Sequence, residues 1–492
     1  MENEITRTKI ISSIFWRFLE FSGEQGIQLL VLVILTRLLL PEDFGLIVLV
    51  TIFISVATVI TQSGFNTALI QKKTMDEADL SSVFYVNLLI STILYFILFM
   101  IAPFLASFFE HPQLTLIIRL LSLSLILRAL HSIQNVIIIR NMQFKKLFTC
   151  SIGGVILSGI IGILMAYTGF GVWSLVVQQL VNNLVYTITI VFIVAWRPRL
   201  IFSIGKLRGL FSYGWKILVS SLIDSIYLNI SNLIIGKMFS PAILGFYNRG
   251  EQIPGLLVSN INGSIQSVLF PALSTQQENK KRVKEMVRRA MVTSAFIIFP
   301  MMIGLAVIAE TLVKIVLTEK WMPVVPFLQI FCFIYILWPI RTANLQAINA
   351  LGRSDIYLKL EIAKKMLGIV ILTIALQHGI YAIVMGMFIT NFLSLFIDAY
   401  PNSILLDYRL IEQFFDVFPS LFISLIMGVT VLSIKLLGFT NITTLIMQIF
   451  VGFIFYIILA KVFKLEPYTY LIEIIKGILI NNKKARNKQI YE

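Results

Sequence analysis

Apolar residues run through this chain in long blocks separated by short polar breaks. A membrane crossing by a helix needs about 20 mostly apolar residues, with a range of about 17–25, and fourteen blocks meet that length. The first six lie near residues 10–36, 44–70, 81–108, 115–139, 147–167 and 173–196. Six more lie near 211–237, 243–270, 290–317, 325–350, 355–377 and 381–405, and the last two near 416–437 and 441–463. The eighth block is the least apolar, interrupted by Arg249, Glu251, Asn260 and Asn262. Since lipid offers the backbone no hydrogen-bond partner, blocks of this length predict helices. The expected fold class is therefore all-α integral membrane, with about 14 transmembrane helices. Two further segments pattern as helices lying in the interface. Residues 197–210 mix basic side chains with Leu200, Ile201, Phe202 and Leu207, and Tyr468 to Ile480 sets Leu471, Ile474, Ile475, Ile478 and Leu479 against Glu473 and Lys476. The closing Lys483, Lys484, Arg486 and Lys488 suit either anionic lipid or plain solvation.

Composition sharpens the class. Of the 492 residues, 58% are apolar and 13% charged, with a mean hydropathy of +0.89; soluble domains run about 45–50% apolar and about 25% charged. Nucleic-acid binders, disulfide scaffolds and disordered tails are excluded. The net charge of +15 gains its meaning from where it sits. With the N-terminus placed in the cytoplasm, 27 Lys and Arg fall in inner connections and termini, against Arg37, Arg249 and Lys320 outside. Both ends are thus expected in the cytoplasm, and Trp173, Trp196 and Trp321 fall at span ends as interfacial anchors do. Cys150 and Cys332 both lie in apolar runs, and the three histidines are too scattered for a metal motif. The first block has no A-x-A-type cleavage site and reads as a retained helix.

The chain also matches itself at an offset near 200. Trp16-Arg17 pairs with Trp215-Lys216, Glu24 with Asp224, Arg37 with Lys237, Pro41 with Pro241 and Gly45 with Gly245. Arg128 and Arg140 pair with Arg341 and Arg353 at 213, and Gly171-Val-Trp-Ser-Leu-Val with Gly379-Ile-Tyr-Ala-Ile-Val at 208. Six helices per repeat is an even number, so the repeats enter the membrane in the same sense. The expected architecture is two parallel six-helix lobes related by a pseudo-two-fold along the membrane normal, plus two C-terminal helices. The expected divisions are an N-lobe 1–196, an amphipathic linker 197–210, a C-lobe 211–410, helices 13 and 14 in 411–463, and a basic tail 464–492.

Ionisable groups inside spans are costly and point to function unless they can reach the interface. The first helix carries Arg17, Glu20, Glu24 and Gln28 on one face, predicting a cavity lining, with an internal Arg17–Glu20 pair as the plainer reading. Arg128, His131 and Asn135 share a face of the fourth helix, and Arg341 and Asn344 repeat the pattern on the tenth. Paired arginines suit an anionic cargo, since the guanidinium fork grips phosphate and stays charged; bonding between helices is the competing reading. Lys216 and Asp224 mirror the first-helix stripe, while Arg37 and Lys237 end the first helix of each half, as cavity residues or interfacial anchors. Glu310 with Lys314 reads as a structural pair, and Glu361, Lys364 and Lys365 as side chains reaching the interface.

Three short motifs accompany the repeat: Arg37-Leu-Leu-Leu-Pro41-Glu-Asp-Phe-Gly45, the L-F-P-A-L of 269–273 and the A-L-G-R of 350–353. With the six-plus-six repeat they give a whole-chain resemblance to polysaccharide exporters of the multidrug/oligosaccharidyl-lipid/polysaccharide flippase superfamily, closest to Wzx-type repeat-unit flippases. The resemblance implies a non-enzymatic, multi-pass protein of the bacterial cytoplasmic membrane. Its cargo would be an undecaprenyl-pyrophosphate-linked glycan moved by alternating access. The pyrophosphate would meet Arg17, Arg128, Arg341 and Arg37, with Lys216 and Lys237 adding positive charge. Glu20, Glu24 and Asp224 would balance that charge or, for Glu24 and Asp224, take a coupled proton or sodium ion; no metal or other cofactor is implied. A monomer is expected in the lipid bilayer, with a polysaccharide polymerase and glycosyltransferases as partners and no nucleic acid. A cation antiporter of the same superfamily is the nearest rival. A membrane polymerase or glycosyltransferase is the rival from another class, disfavoured because no outer connection exceeds about a dozen residues.

Overall fold

The structure, a computed structural model, describes residues 7–62, 64–72, 74–473 and 476. Among these residues it is all-helical, with no strand. Helices α1 (Arg7–Leu38), α2 (Pro41–Gln62), α3 (Phe65–Gln71), α4 (Glu77–Phe108), α5 (Leu114–Leu121) and α6 (Leu123–Leu130) come first. Next come α7 (Ser132–Arg140), α8 (Phe144–Tyr167), α9 (Val172–Ile193), α10 (Ile204–Met238), α11 (Pro241–Ser274) and α12 (Lys280–Val316). The rest are α13 (Val324–Tyr335), α14 (Trp338–Ala350), α15 (Ser354–Ala375), α16 (Ile380–Leu405), α17 (Leu410–Ser433) and α18 (Asn441–Val462).

A helix stands at every predicted block, but not all fourteen qualify as spans. Among the described residues, eleven helices are long and apolar enough to cross a membrane, or twelve when α5–α6 and α7, bent by 44° at His131, are taken as one. The two that fall short are α11 and α15. Arg249, Glu251, Asn260 and Asn262 dilute the first, and Asp355, Lys359, Glu361, Lys364 and Lys365 the second. Abundant large apolar side chains face outward on the spanning helices, among them Met100, Phe104, Phe192, Val429 and Phe453, as a lipid-facing surface requires.

The chain forms two compact units, Met1–Phe246 and Tyr247–Glu492. This division differs from the expected break at 197–210, and the reason lies in α10. That helix packs on α2, α3 and α4 of the first unit, and a Cβ on its Gly214 would lie 2.7 Å from the Gly64 carbonyl oxygen. Nor is 197–210 a separate interfacial helix. Residues 197–203 are irregular, and α10 runs on from Ile204 without a break. The backbone N–H groups of Arg199 and Ser203 donate to Ser81 (3.0 Å) and Ser82 (2.9 Å) on α4, and the Trp196 ring N–H donates to Glu77 (3.1 Å). The segment is a strap across the start of α4. The expected tail helix is described only as far as Glu473 and at Lys476; Ile474, Ile475, Ile478, Leu479 and the closing basic residues lie outside the described residues.

In the first unit α2 is the central helix, and in the second α12, with 56% and 61% of their apolar windows buried. Around α12, Val283, Val287, Met291, Ala295 and Phe299 pack on Ile340, Ala343 and Ala347 of α14, while Phe296 and Ile303 meet Ile423, Met427 and Tyr456 of α17 and α18. The repeat-matched Pro and Gly residues meet reciprocally at the starts of α2 and α11. A Cβ on Gly45 would lie 1.8 Å from the Pro241 carbonyl oxygen, and one on Gly245 would lie 2.2 Å from that of Pro41. No other side chain fits at either position.

Candidate functional site

The α1 stripe forms as the spacing predicts, though its charges first satisfy each other. The Arg17 guanidinium donates to Glu20 Oε2 at 2.5 Å and lies 5.6 Å from the Phe144 ring; Gln28 donates to Glu24 at 3.0 Å. Glu20 is buried and Arg17 exposed. Further along, α1 lies close on α8: a Cβ on Gly159 would come within 2.6 Å of Val31. On α10, Lys216 and Asp224 are both exposed, as is Arg37 at the end of α1. Lys237 behaves as an anchor. Its ammonium donates to the Phe108 carbonyl at 2.6 Å and pairs with Glu110 at 3.0 Å, holding the Glu110 carboxyl below its ordinary value.

The Arg128 face does not survive as one stripe, because the helix breaks at His131 between α6 and α7. His131 is buried, with Nδ1 2.8 Å from Thr187 Oγ1 and its ring set edge-on 4.8 Å from Tyr186. The Thr187 hydroxyl donates to the Asn183 carbonyl (2.7 Å), which leaves it to accept from His131. Tyr186 in turn donates to Asn135 at 2.7 Å. His131 and Asn135 therefore bond α7 to α9, the inter-helix alternative. Arg128 stands apart: among the described residues its buried Nε has no hydrogen-bond acceptor.

The second unit treats its matched arginine differently. Arg341 Nε donates to Asp398 Oδ2 at 3.0 Å, and its Nη1 to Asn391. Asp398, fully buried, also lies 2.8 Å from Lys364 Nζ through its other oxygen, and Lys364 pairs with Glu361 at 2.6 Å. Two cations and two anions from α14, α15 and α16 thus form a closed neutral set. Asn344 is equally committed. It donates to Gln413 at 2.7 Å and accepts from Asn402 at 2.7 Å, joining α14, α16 and α17. Sequence reasoning placed Arg341 and Asn344 toward a cargo and sent Lys364 to the interface. Burial reverses both, with only 6% of the Lys364 side chain exposed. It overlooked Asp398, although an apolar run whose sole ionisable residue is an aspartate was the available signal. Glu310 and Lys314 also part company: Glu310 takes Lys435 (2.6 Å) and Lys314 takes Glu319 (3.2 Å).

Multiple apolar helices, with ionic groups held inside the two units, define an all-helical, multi-pass membrane fold. That fold is shared with the lipid II flippase MurJ in an inward closed conformation: TM-score 0.74 over 95% of this chain and 100% of that one, at 17% identity. It is shared also with an inward-facing multidrug resistance MATE family transporter of the MOP superfamily, at TM-score 0.60 over 78% and 95%, with 15% identity. The family model described as "Polysaccharide biosynthesis protein" matches residues 34–326, more than half of the chain, and the chain belongs to that family. The motif-based resemblance is thereby borne out. Among its relatives, the teichuronic acid biosynthesis protein TuaB of Bacillus subtilis (strain 168) is 26% identical over 61% of this chain and 62% of that protein. The succinoglycan biosynthesis transport protein ExoT of Rhizobium meliloti (strain 1021) is 23% identical over 65% of each. The lipopolysaccharide biosynthesis protein WzxC of Escherichia coli (strain K12) is 23% identical over 79% and 80%. Against the first two, the chain spans slightly less than two thirds of the relative's length.

Proposed function

We propose that this protein is a flippase that carries undecaprenyl-pyrophosphate-linked oligosaccharide units from the inner to the outer leaflet of the bacterial cytoplasmic membrane. Family membership supports the reading most directly, together with relatives named for polysaccharide biosynthesis, one of them for succinoglycan transport. Both termini lie in the cytoplasm on the asymmetry of Lys and Arg between connections. The protein makes and breaks no bond. Glycosyltransferases supply its cargo and a polymerase consumes it, the sugar crossing through a polar interior while the prenyl tail stays in lipid. Arg17, Arg37 and Lys216, exposed on the first unit, supply positive charge along the route. A coupled proton or sodium ion, if the cycle uses one, is taken at Glu24 or Asp224. The test is transbilayer movement of a lipid-linked oligosaccharide in vesicles holding the purified protein. Movement absent from protein-free vesicles is the expected result. No movement, combined with extrusion of cationic dyes, would replace the reading with a cation antiporter.

A further inference from the structure

We infer that the two repeat-matched arginines have divided their labour: Arg128 of the first unit grips the anionic group of the cargo, while Arg341 of the second is a packing residue. The inference rests on the flippase reading above and assigns the pyrophosphate to one unit.

The argument starts from the cost of charge inside a membrane helix. A guanidinium there is retained only where something compensates it, either a fixed counter-charge or an anionic ligand. Arg341 has the fixed compensation. Asp398 accepts from its Nε at 3.0 Å, Asn391 takes Nη1, and Lys364 and Glu361 complete a set of zero net charge. An incoming phosphate would have to share the guanidinium with a fully buried carboxylate that already neutralises it. Exchange of phosphate for Asp398 is disfavoured, because Asp398 also holds Lys364 and its release would leave the buried set short of one negative charge.

Arg128 is the opposite case. It lies inside the bent span, half-buried, and among the described residues its buried Nε has no hydrogen-bond acceptor. His131, three residues on, is occupied with Thr187 and Tyr186 and brings no negative charge. Behind it, Tyr186 donates to Asn135 and His131 meets Thr187, which ties α7 and the break before it to α9. A charged fork with a buried donor left unused is the feature that recognises an external anion, and a pyrophosphate supplies several acceptor oxygens for its five donors.

The experiment measures binding of undecaprenyl pyrophosphate, undecaprenyl phosphate and undecaprenol to the protein in lipid nanodiscs, for the parent chain and for Arg128→Gln, Arg128→Lys and Arg341→Lys. The parent should favour the pyrophosphate over the uncharged alcohol. Arg128→Gln should weaken pyrophosphate binding at least tenfold and leave undecaprenol unchanged, and Arg128→Lys should fall between. Arg341→Lys, which keeps the Asp398 pair, should change pyrophosphate binding less than threefold. Size-exclusion profiles identify any variant that has lost its fold, and Arg128→Lys then decides alone, through its selectivity for pyrophosphate over alcohol. Undiminished pyrophosphate binding in the Arg128 variants, or equal losses at Arg128 and Arg341, overturns the division of labour and leaves the flippase reading standing. A parent that does not distinguish pyrophosphate from alcohol overturns the flippase reading itself.

Discussion

Asp398 is the residue whose removal should disturb the second unit most. Its two oxygens compensate Arg341 and Lys364 at 3.0 and 2.8 Å, and it is fully buried. Asp398→Asn keeps the shape, removes the charge and leaves the set with one net positive charge. Breaking a buried pair by deleting one partner typically costs about 3–5 kcal/mol, a large part of a total stability of about 5–15 kcal/mol. Because Lys364 retains Glu361 at 2.6 Å, the lower end, about 3 kcal/mol, is the better expectation. The unfolding midpoint in detergent, followed by tryptophan fluorescence, should fall by several degrees. Lys364→Met alone should also destabilise, leaving a net negative set. Combining the two restores neutrality through Arg341 and Glu361, so the double variant should be more stable than the sum of the single losses predicts, by about 0.5–3 kcal/mol. Additive losses, or an Asp398→Asn protein as stable as its parent, would refute the closed-set argument.

Three further outcomes follow from the packing. Gly45→Ala, whose Cβ would sit 1.8 Å from the Pro241 carbonyl oxygen, should cost about 1–3 kcal/mol or more and reduce the monodisperse fraction on size exclusion, whereas Gly153→Ala, which meets nothing within 4 Å, should not. Asn344→Leu would leave Gln413 Oε1 without its donor and remove the side-chain acceptor of Asn402, at about 1–3 kcal/mol per unsatisfied group, and should lower the unfolding midpoint more than Asn183→Leu on α9. For the Lys237–Glu110 pair, the carboxyl is held below its ordinary 4.5, so its contribution is present above that pH and is lost as pH falls through the depressed value; the stability gap between parent and Lys237→Met should narrow in acid and stay constant from pH 6 to 8.

Much of this molecule is legible without a structure, for a physical reason. Lipid forces helices to be long and apolar, so α4, α8, α12 and α18 can be read directly from block length, and the repeat shows in Pro41, Gly45, Pro241 and Gly245 because backbone contact tolerates no substitute there. The ionic residues were harder. Arg17, Glu20 and Glu24 read correctly as one face because α1 is an unbroken helix. The Arg128 face misled because no residue signals the bend at His131, where no proline or glycine stands. Arg341 and Lys364 misled because their compensation comes from α16, 57 and 34 residues further along, and helical spacing carries no information about a neighbour that distant in the chain. The linker failed for the same reason: its polar contacts are with Ser81 and Ser82.

The closed set in the second unit has an electrical consequence. A charge displaced along the membrane normal exchanges energy with the transmembrane potential, about 2.3 kcal/mol per elementary charge per 100 mV for a full crossing. Arg341, Lys364, Asp398 and Glu361 sum to zero, so moving them together exchanges almost nothing. Arg128, whose buried Nε has no acceptor among the described residues, would exchange a share of that energy in proportion to any change in its depth. A transmembrane voltage would then act on the first unit at Arg128 and not at the matched position in the second, and an anion bound at Arg128 would reduce or reverse its pull.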